Sequence, residues 1–198
     1  MLARVRMADL PQKPADELDD LTLARARAGE PAAFRGLVER YQRRVHGVLF
    51  RMLDPSGRAA QVDDLFQETF LRVYRALPRY VPGPARLSTW ILTIATRLAL
   101  TELRRPLAQA PPPDVEQQAW TGEAPDAGIE RRAAETLVRT ALAALDPDHR
   151  AVLVLREIDE LDYEEIARVL QINLGTVRSR LSRARARLRE AFGEDPDA

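Results

Sequence analysis

The sequence has no cysteine, only two histidines, and a single lysine, Lys13, among its 30 basic residues. The absence of cysteine excludes disulfides, thiolate metal sites and cysteine nucleophiles. The two histidines, His46 and His149, lie far apart in the sequence and do not form the imidazole cluster of a catalytic zinc site. We therefore expect neither a metal nor a cofactor.

Long apolar runs are also missing. No stretch approaches the roughly 20 apolar residues that a membrane span requires. Residues 1–14 lack the continuous apolar segment of a secretory signal. We therefore expect a cytoplasmic protein with no membrane insertion. With 45% hydrophobic and 30% charged residues, the chain can still form a packed core.

The net charge of zero hides an uneven distribution of charge. Residues 1–105 carry 18 basic and 12 acidic side chains, whereas residues 106–129 carry four acidic and no basic ones. All six basic side chains beyond residue 177 lie between Arg178 and Arg189. Because local patches rather than net charge decide nucleic-acid binding, a neutral chain of this kind can bind DNA.

Apolar residues recur every three or four positions in both halves of the chain, which predicts helices. No strand-like alternation is present, so the expected class is all-α with two small helical domains. The expected divisions are a flexible tail at 1–17, a domain at 18–105, a proline-rich acidic linker at 106–129, a domain at 130–192 and a tail at 193–198. Either Met1 or Met7 can start the chain. Trp120 in the linker is either a docking residue or an incidental exposed aromatic.

Local signals place several helix boundaries. Ser88 is predicted to be the N-cap of a helix that runs to about Arg105. Asp162 and Glu165 predict a capping box at the start of a short helix. In the preceding region, one helix face is expected to be buried, and it carries Leu137, Ala141, Leu142 and Leu145.

Residues 163–190 fit a helix-turn-helix. A short helix is predicted to end near Leu170, and the turn Gln171-Ile172-Asn173 separates it from a helix that begins near Leu174. On that last helix, one stripe is apolar and the opposite stripe carries small residues and arginines. Arg178 and Arg183 can reach base edges in the major groove. Arg180, Arg185, Arg187 and Arg189 flank this stripe and suit phosphates, and Thr176 can hold a phosphate with the free amides of the first turn.

At three places the sequence resembles the extracytoplasmic-function group of bacterial sigma factors, within the sigma-70 family. Residues 63–70 (DDLFQETF) are similar to that family's polymerase-binding helix. Residues 88–95 (STWILTIA), followed by ELRR at 102–105, are similar to its strand-opening helix. Residues 163–167 (YEEIA) and 175–185 (GTVRSRLSRAR) resemble its promoter-reading domain.

The resemblance implies a protein without an active site of its own. Such a protein binds core RNA polymerase, directs it to promoter DNA and helps to open the duplex. The C-terminal domain would read the −35 element, and the N-terminal domain would capture flipped bases of the −10 element. The acidic linker would thread through the polymerase near the RNA exit path. An anti-sigma protein is the expected regulator.

The resemblance and the helix geometry together assign three sets of residues. The polymerase-binding set is Asp63, Asp64, Leu65, Gln67 and Glu68. The −10 set is Tyr80, Trp90, Arg97, Thr101, Arg104 and Arg105. The −35 set is Gly175, Thr176, Arg178, Ser179, Ser182, Arg183 and Arg187. For Trp90 a place in the core and a stacking role with a flipped base both remain open, and the acids at 63 and 64 also complement the helix dipole.

Three positions depart from the family pattern. Arg97 stands where the family usually has asparagine, and Thr101 where it has aspartate or asparagine. Gln171 replaces a common turn glycine. A left-handed backbone at that position would cost a residue other than glycine about 1 kcal/mol.

Three other classes of function are alternatives to a sigma factor. A helix-turn-helix repressor or activator would bind DNA without polymerase, but it would not need the motif at 63–70. An adaptor that binds only proteins would not need the arginine helix. An enzyme is disfavoured because the sequence shows no nucleophile–base pair, phosphate loop or metal cluster.

Overall fold

The computed structural model describes residues 17–83, 86–106 and 135–192. Within these residues all regular structure is helical, which confirms the predicted all-α class. The helices are α1 (Asp20–Arg27), α2 (Pro31–Leu53), α3 (Val62–Ala76), α4 (Leu87–Arg104), α5 (residues 135–143), α6 (Pro147–Leu153), α7 (Tyr163–Leu170) and α8 (Leu174–Phe192). A π-helical turn at Val154–Ile158 extends α6. Trp120, Met1 and Met7 lie outside the described residues, as does the predicted linker beyond Pro106.

In the N-terminal half, α2 is the central helix. It begins with Pro31 at its first turn, where a missing backbone N–H costs nothing. Its buried face carries Leu37, Val45 and Leu49, which pack against α1, α3 and α4. Glu17, the last residue of the predicted tail, accepts a hydrogen bond from the hydroxyl of Tyr41 at 3.1 Å, so the chain contacts this core before α1 begins.

The start of α4 differs from the prediction. The N-cap residue is Arg86, not Ser88, and its side chain makes no capping hydrogen bond. Ser88 lies inside the first turn, is buried, and donates its hydroxyl to Oε1 of Glu17 at 2.6 Å. A partner 71 residues away therefore satisfies the hydroxyl that local sequence assigned to the helix end.

The C-terminal half contains the predicted helix-turn-helix. Asp162 accepts a hydrogen bond from the amide of Glu165 at 2.7 Å, and the Glu165 side chain accepts one from the amide of Asp162 at 3.1 Å. This reciprocal pair confirms the predicted capping box at the start of α7. Three residues then separate α7 from α8, as predicted.

One apolar residue of α5 is exposed although it was predicted to be buried. Leu137 is 50% exposed, so its predicted place on the buried face is wrong. Ala141, Leu142 and Leu145 are buried as predicted. The contact between α5 and the rest of the domain therefore begins one turn later than the apolar pattern indicated.

Gln171 adopts the left-handed conformation, with φ 55° and ψ 47°. A side chain with a Cβ is strained there, and glycine is not. We expect Gln171→Gly to raise the free energy of unfolding by about 1 kcal/mol, measured by urea denaturation of the full chain. The matched control is Gln171→Ala, which keeps the Cβ and should give no gain. If Gln171→Gly were no more stable than Gln171→Ala, the left-handed backbone at this position would not be strained.

The two halves of the chain pack against each other. Helix α4 contacts α7, and α2 contacts both α6 and the π-helical turn. The buried apolar residues of the two halves form one continuous cluster. The described chain is therefore closed, with the two domains in direct contact.

Arg150 is buried between the two halves and forms hydrogen bonds to both, with only 2% of its surface exposed. Its guanidinium donates to the carbonyls of Leu142 (3.0 Å) and Leu145 (3.1 Å) in its own half. It also donates to the carbonyl of Met52 (2.5 Å) and to the hydroxyl of Ser56 (2.8 Å) in the other half. One side chain thus supplies hydrogen bonds to carbonyls at the ends of both α2 and α5.

Candidate nucleic-acid interface

The predicted polymerase-binding residues lie on one face of α3. Asp63, Asp64 and Gln67 are exposed, and Leu65 and Glu68 are half-buried beside them. The opposite face of α3 is buried and carries Val62, Phe70 and Val73. Because the acids begin the helix, they also complement its dipole, but their exposure leaves them available to a partner.

An aromatic group beside these acids was missed by sequence reasoning. The His46 ring stacks on Phe50, with ring centroids 6.4 Å apart, and meets the edge of Phe66 at 6.2 Å. His46 also lies 3.6 Å from the carboxylate of Asp63. Phe50 is 44% exposed. An exposed aromatic beside carboxylates is typical of protein interfaces, and only the packing of α2 on α3 reveals it.

The outer face of α4 carries the exposed members of the −10 set. Arg97, Thr101 and Arg104 follow each other at steps of four and three residues, so they share one face of the helix. All three are exposed, as is Arg105 just after the helix. The face is open to solvent, although Nη2 of Arg104 lies 4.0 Å from Oδ1 of Asp148 on α6.

The two aromatic residues predicted to hold flipped bases lie against each other. The rings of Tyr80 and Trp90 have centroids 4.8 Å apart and an angle of 41° between their planes. Both are half-buried. Burial, together with the nearby Glu17 carboxylate, raises the pKa of the Tyr80 phenol. A flipped base that stacks at this site has to lie on the outside of the Tyr80–Trp90 pair or separate the two rings.

Arg58 holds the end of α4, through long-range contacts that have no local pattern in the sequence. Only 5% of Arg58 is exposed, and its Nη1 donates to the carbonyl of Glu102 at 2.8 Å. Its Nη2 donates to the carbonyl of Arg105 at 2.5 Å. The Glu102 carbonyl also accepts from the amide of Arg105 at 3.1 Å, and the two bonds from Arg58 fix the backbone from which Arg104 and Arg105 extend.

Helix α8 exposes most of the residues assigned to the −35 set, and Thr176 is half-buried. Val177, Leu181 and Ala184 are buried against the rest of the domain. The exposed face carries Arg178, Ser179, Ser182, Arg183 and Arg187, with Gly175 at its start. Among the residues that the structure describes, Arg178, Arg183 and Arg187 form no ion pair, so their guanidiniums are available to an anionic ligand.

Two of the arginines expected to bind phosphate have protein partners instead. Arg180 Nη2 lies 2.7 Å from Oδ2 of Asp148, and Arg185 Nη2 lies 2.6 Å from Oε1 of Glu157. The hydrogen bond to Glu157 raises the pKa of Arg185. The predicted phosphate contacts on the flanks of α8 therefore require these carboxylates to be displaced.

The first turn of α8 is capped by a residue that sequence reasoning missed. The side-chain oxygen of Asn173 accepts from the amide of Thr176 at 2.7 Å and from its hydroxyl at 3.0 Å. Both donors of Thr176 are therefore already used, which weakens its predicted role as a phosphate ligand. Asparagine is a preferred capping residue, so its position before Leu174 was the available signal.

Two protein-family models match the chain. The model for sigma-70 region 2 matches residues 37–106, and the model for sigma-70 region 4 matches residues 135–188. Together they span most of the described residues. The region 2 model covers α3 and α4, and the region 4 model covers α7 and most of α8. The chain belongs to the sigma-70 family.

Curated relatives place this sigma factor in the extracytoplasmic-function group. It is 33% identical to the RNA polymerase sigma-H factor of Pseudomonas aeruginosa, over 89% of this chain and 94% of that one. It is 34% identical to the ECF RNA polymerase sigma factor SigE of Mycolicibacterium smegmatis, over 95% and 76%. It is 35% identical to the ECF sigma-E factor of Escherichia coli K12, over 84% and 90%.

Solved structures share the arrangement of this sigma factor. CnrH, solved in complex with the cytosolic domain of CnrY, matches with a TM-score of 0.65 and 25% identity, over 88% of this chain and 97% of that one. RpoE of Bartonella quintana, solved with the anti-sigma factor NepR, matches with a TM-score of 0.62, 21% identity and coverage of 82% and 98%. Among the described helices of this sigma factor, none is long and apolar enough to cross a bilayer.

Proposed function

We propose that this sigma factor binds core RNA polymerase through the exposed acidic face of α3 and carries it to promoters. The outer face of α4 captures the −10 element as a single strand, and α8 reads the −35 element as a duplex. The protein acts in the cytoplasm, through binding rather than catalysis. The observation that carries this proposal is the exposed arginine face of α8, seated on a capped helix-turn-helix.

The α8 face has the chemistry that duplex reading needs. Arg178 and Arg183 offer planar guanidiniums that match the O6 and N7 acceptors of guanine in the major groove. Ser179 and Ser182 lie between them and leave room for the helix to approach the bases. Arg187, one turn further along, is placed for a backbone phosphate.

The regulator of this sigma factor is an anti-sigma protein. Two matching sigma factors were solved in complexes, one with the cytosolic domain of CnrY and one with the anti-sigma factor NepR. The present chain contains no cysteine. Any thiol-based sensing therefore belongs to the partner.

The decisive experiment is transcription with reconstituted polymerase. Core polymerase together with this protein should initiate at a defined set of promoters, and sequencing the transcript 5′ ends should reveal shared −35 and −10 elements. Core polymerase alone is the control. DNA binding by the protein without any association with core polymerase would instead indicate a helix-turn-helix regulator.

The α3 surface is tested by reversing its charge. We expect Asp64→Lys with Glu68→Lys to weaken binding to core polymerase at least tenfold while the helix content stays unchanged, because Asp64 is exposed and Glu68 half-buried. Glu68→Lys loses the ion pair with Arg72, at 2.6 Å, and leaves two like charges four residues apart, which together cost the helix about 0.4–1 kcal/mol. The matched control reverses Asp20 and Glu39, which are exposed on α1 and α2. Equal polymerase affinity of both double variants would contradict the assignment.

Arg97 is expected to change the base preference within the −10 element. Asparagine offers one donor and one acceptor group, whereas arginine offers only donors. Arginine therefore favours a base edge rich in acceptors, such as the O6 and N7 of guanine. We expect Arg97→Asn to shift the preferred base at one position of a randomised −10 library. Uniformly weaker opening with an unchanged preference would mean that Arg97 contacts a phosphate only.

A further inference from the structure

The segment just before α1 is anchored to the N-terminal half by one carboxylate. Oε1 of Glu17 accepts the hydroxyl of Ser88 at 2.6 Å, and its Oε2 accepts the hydroxyl of Tyr41 at 3.1 Å. Ser88 and Tyr41 are each only 3% exposed. They lie on α4 and α2, which are 71 and 24 positions further along the chain. Both oxygens of Glu17 therefore bind to the core of this half.

Tyr41 ties the same segment down a second time. Its hydroxyl accepts the backbone amide of Leu18 at 3.1 Å. Burial raises the pKa of the Tyr41 phenol to about 12, so the phenol keeps its proton at neutral pH and can donate to Glu17. The side chain of Leu18 packs against the apolar core. The position of Glu17 is therefore fixed by its neighbour as well, although part of the Glu17 side chain is exposed.

The first turn of α4 has no side-chain cap of its own. Its N-cap residue, Arg86, makes no capping hydrogen bond. Trp90, two residues after Ser88, closes this turn with its amide, which donates to the carbonyl of Arg86 at 3.1 Å. The carboxylate of Glu17 reaches the turn from outside, and a negative charge near a helix N-terminus is also favoured by the helix dipole. The bond to Ser88 thus stabilises the turn that carries Trp90.

The other ring of the aromatic pair is close to the same carboxylate. Burial raises the pKa of the Tyr80 phenol, the charge of Glu17 raises it further, and the charge of Arg27 on α1 lowers it. Helix α1 also contacts the short turn Leu77–Arg79 that leads to Tyr80. Both rings are therefore connected to Glu17, Trp90 through the first turn of α4 and Tyr80 by direct proximity.

We propose that Glu17 is a positioning residue for capture of the −10 strand, because it fixes the first turn of α4 and with it the relative placement of Tyr80 and Trp90. A flipped base stacks on aromatic rings, and rings that must first become ordered bind it with lower apparent affinity. Glu17 acts through Ser88 and the two rings. The inference rests on the proposed function, because it concerns the same −10 surface.

The first test compares the two DNA elements in holoenzyme. We expect Glu17→Ala to weaken binding of a single-stranded −10 oligonucleotide about tenfold, the lower value for one lost hydrogen bond to a charged group. Binding of a −35 duplex should stay unchanged, because the bonds of Glu17 go to α2 and α4. Both DNAs take their sequence from the promoters that the reconstituted polymerase uses. The matched control is Glu39→Ala, which removes the same charge from an exposed position on α2.

Two further variants separate positioning from a general loss of stability. Glu17→Gln keeps an oxygen that can accept the Ser88 hydroxyl, so it should retain most of the −10 affinity. Ser88→Ala removes the same bond from the other side, so combining it with Glu17→Ala should add little to the loss. Fully additive losses would show that the bond between these two residues does not position α4.

The emission of Trp90 reports the placement of the rings directly. The chain has two tryptophans, so Trp120→Phe leaves Trp90 as the only one. In this background we expect Glu17→Ala to shift the emission to longer wavelength and to make Trp90 easier to quench with acrylamide. Glu39→Ala should change neither property.

Three results would overturn the positioning role. They are an unchanged −10 affinity of Glu17→Ala, an equal loss of −10 and −35 affinity, and a Trp90 emission that is the same with and without the Glu17 carboxylate. If instead the unchanged protein forms a holoenzyme that binds neither DNA, the proposed function fails and this inference fails with it.

Discussion

Arg150→Met is expected to lower the free energy of unfolding by about 3–5 kcal/mol, because it removes a charged donor from a buried site. The guanidinium of Arg150 donates to three backbone carbonyls and one hydroxyl. Methionine fills much of the same volume but removes every one of these donors, and the Leu142 carbonyl keeps only the amide of Leu145. Two of the carbonyls belong to the C-terminal half itself, so the loss extends beyond the contact between domains.

Urea denaturation followed by circular dichroism measures this loss. The matched control is Arg168→Met, which removes the same charge from an exposed position on α7 and should change stability by less than about 0.5 kcal/mol. Arg150→Lys should rescue little, because one ammonium group cannot reach acceptors that the guanidinium contacts from three nitrogens. If Arg150→Met were as stable as the Arg168→Met control, water would have replaced the guanidinium as the hydrogen-bond donor to these acceptors.

Arg183→Ala is expected to reduce discrimination at one base pair of the −35 element by about 5- to 150-fold, which corresponds to about 1–3 kcal/mol. Arg178→Ala should do the same at another base pair. Both side chains are exposed on α8 and make no ion pair with any residue that the structure describes. A bidentate contact to guanine loses both hydrogen bonds when the guanidinium is removed.

Arg187→Ala is the matched control for this prediction. It lies one turn beyond Arg183 on the same helix and is equally exposed, but it is placed for a phosphate. Its loss should weaken all promoter variants alike and reduce the salt dependence of binding. Holoenzyme binding to a set of single-base −35 variants distinguishes the two outcomes. If Arg183→Ala weakened every variant equally, its base-reading role would be wrong.

Local patterns predicted much of this structure because they act over a few residues. The capping box of Asp162 and Glu165, the three-residue turn before α8 and the apolar stripe of Val177, Leu181 and Ala184 all depend on neighbours within one or two helical turns. The predictions for these elements are confirmed. The positions of the α3 acids and the α8 arginines on exposed faces follow from the same periodicity.

Predictions failed where a distant residue competes with a local one. Ser88 has the chemistry of an N-cap, but Glu17 accepts its hydroxyl and the N-cap is Arg86, two residues earlier. Leu137 matches the apolar period, yet nothing in the described fold covers it.

The closed packing of the domains could not be predicted either. It depends on pairs such as Arg44 and Asp159, which carry no local signature. The roles assigned to individual residues in DNA and polymerase binding remain predictions.

The carboxylates that hold Arg180 and Arg185 have a consequence for how the protein searches a genome. Asp148 and Glu157 occupy the places that DNA phosphates would take beside these arginines. Affinity for random DNA grows with the number of phosphates neutralised, so this internal pairing shortens each encounter with an incorrect site. The base contacts expected of Arg178 and Arg183 are not reduced in the same way. We therefore expect the free protein to spend little time on non-promoter DNA.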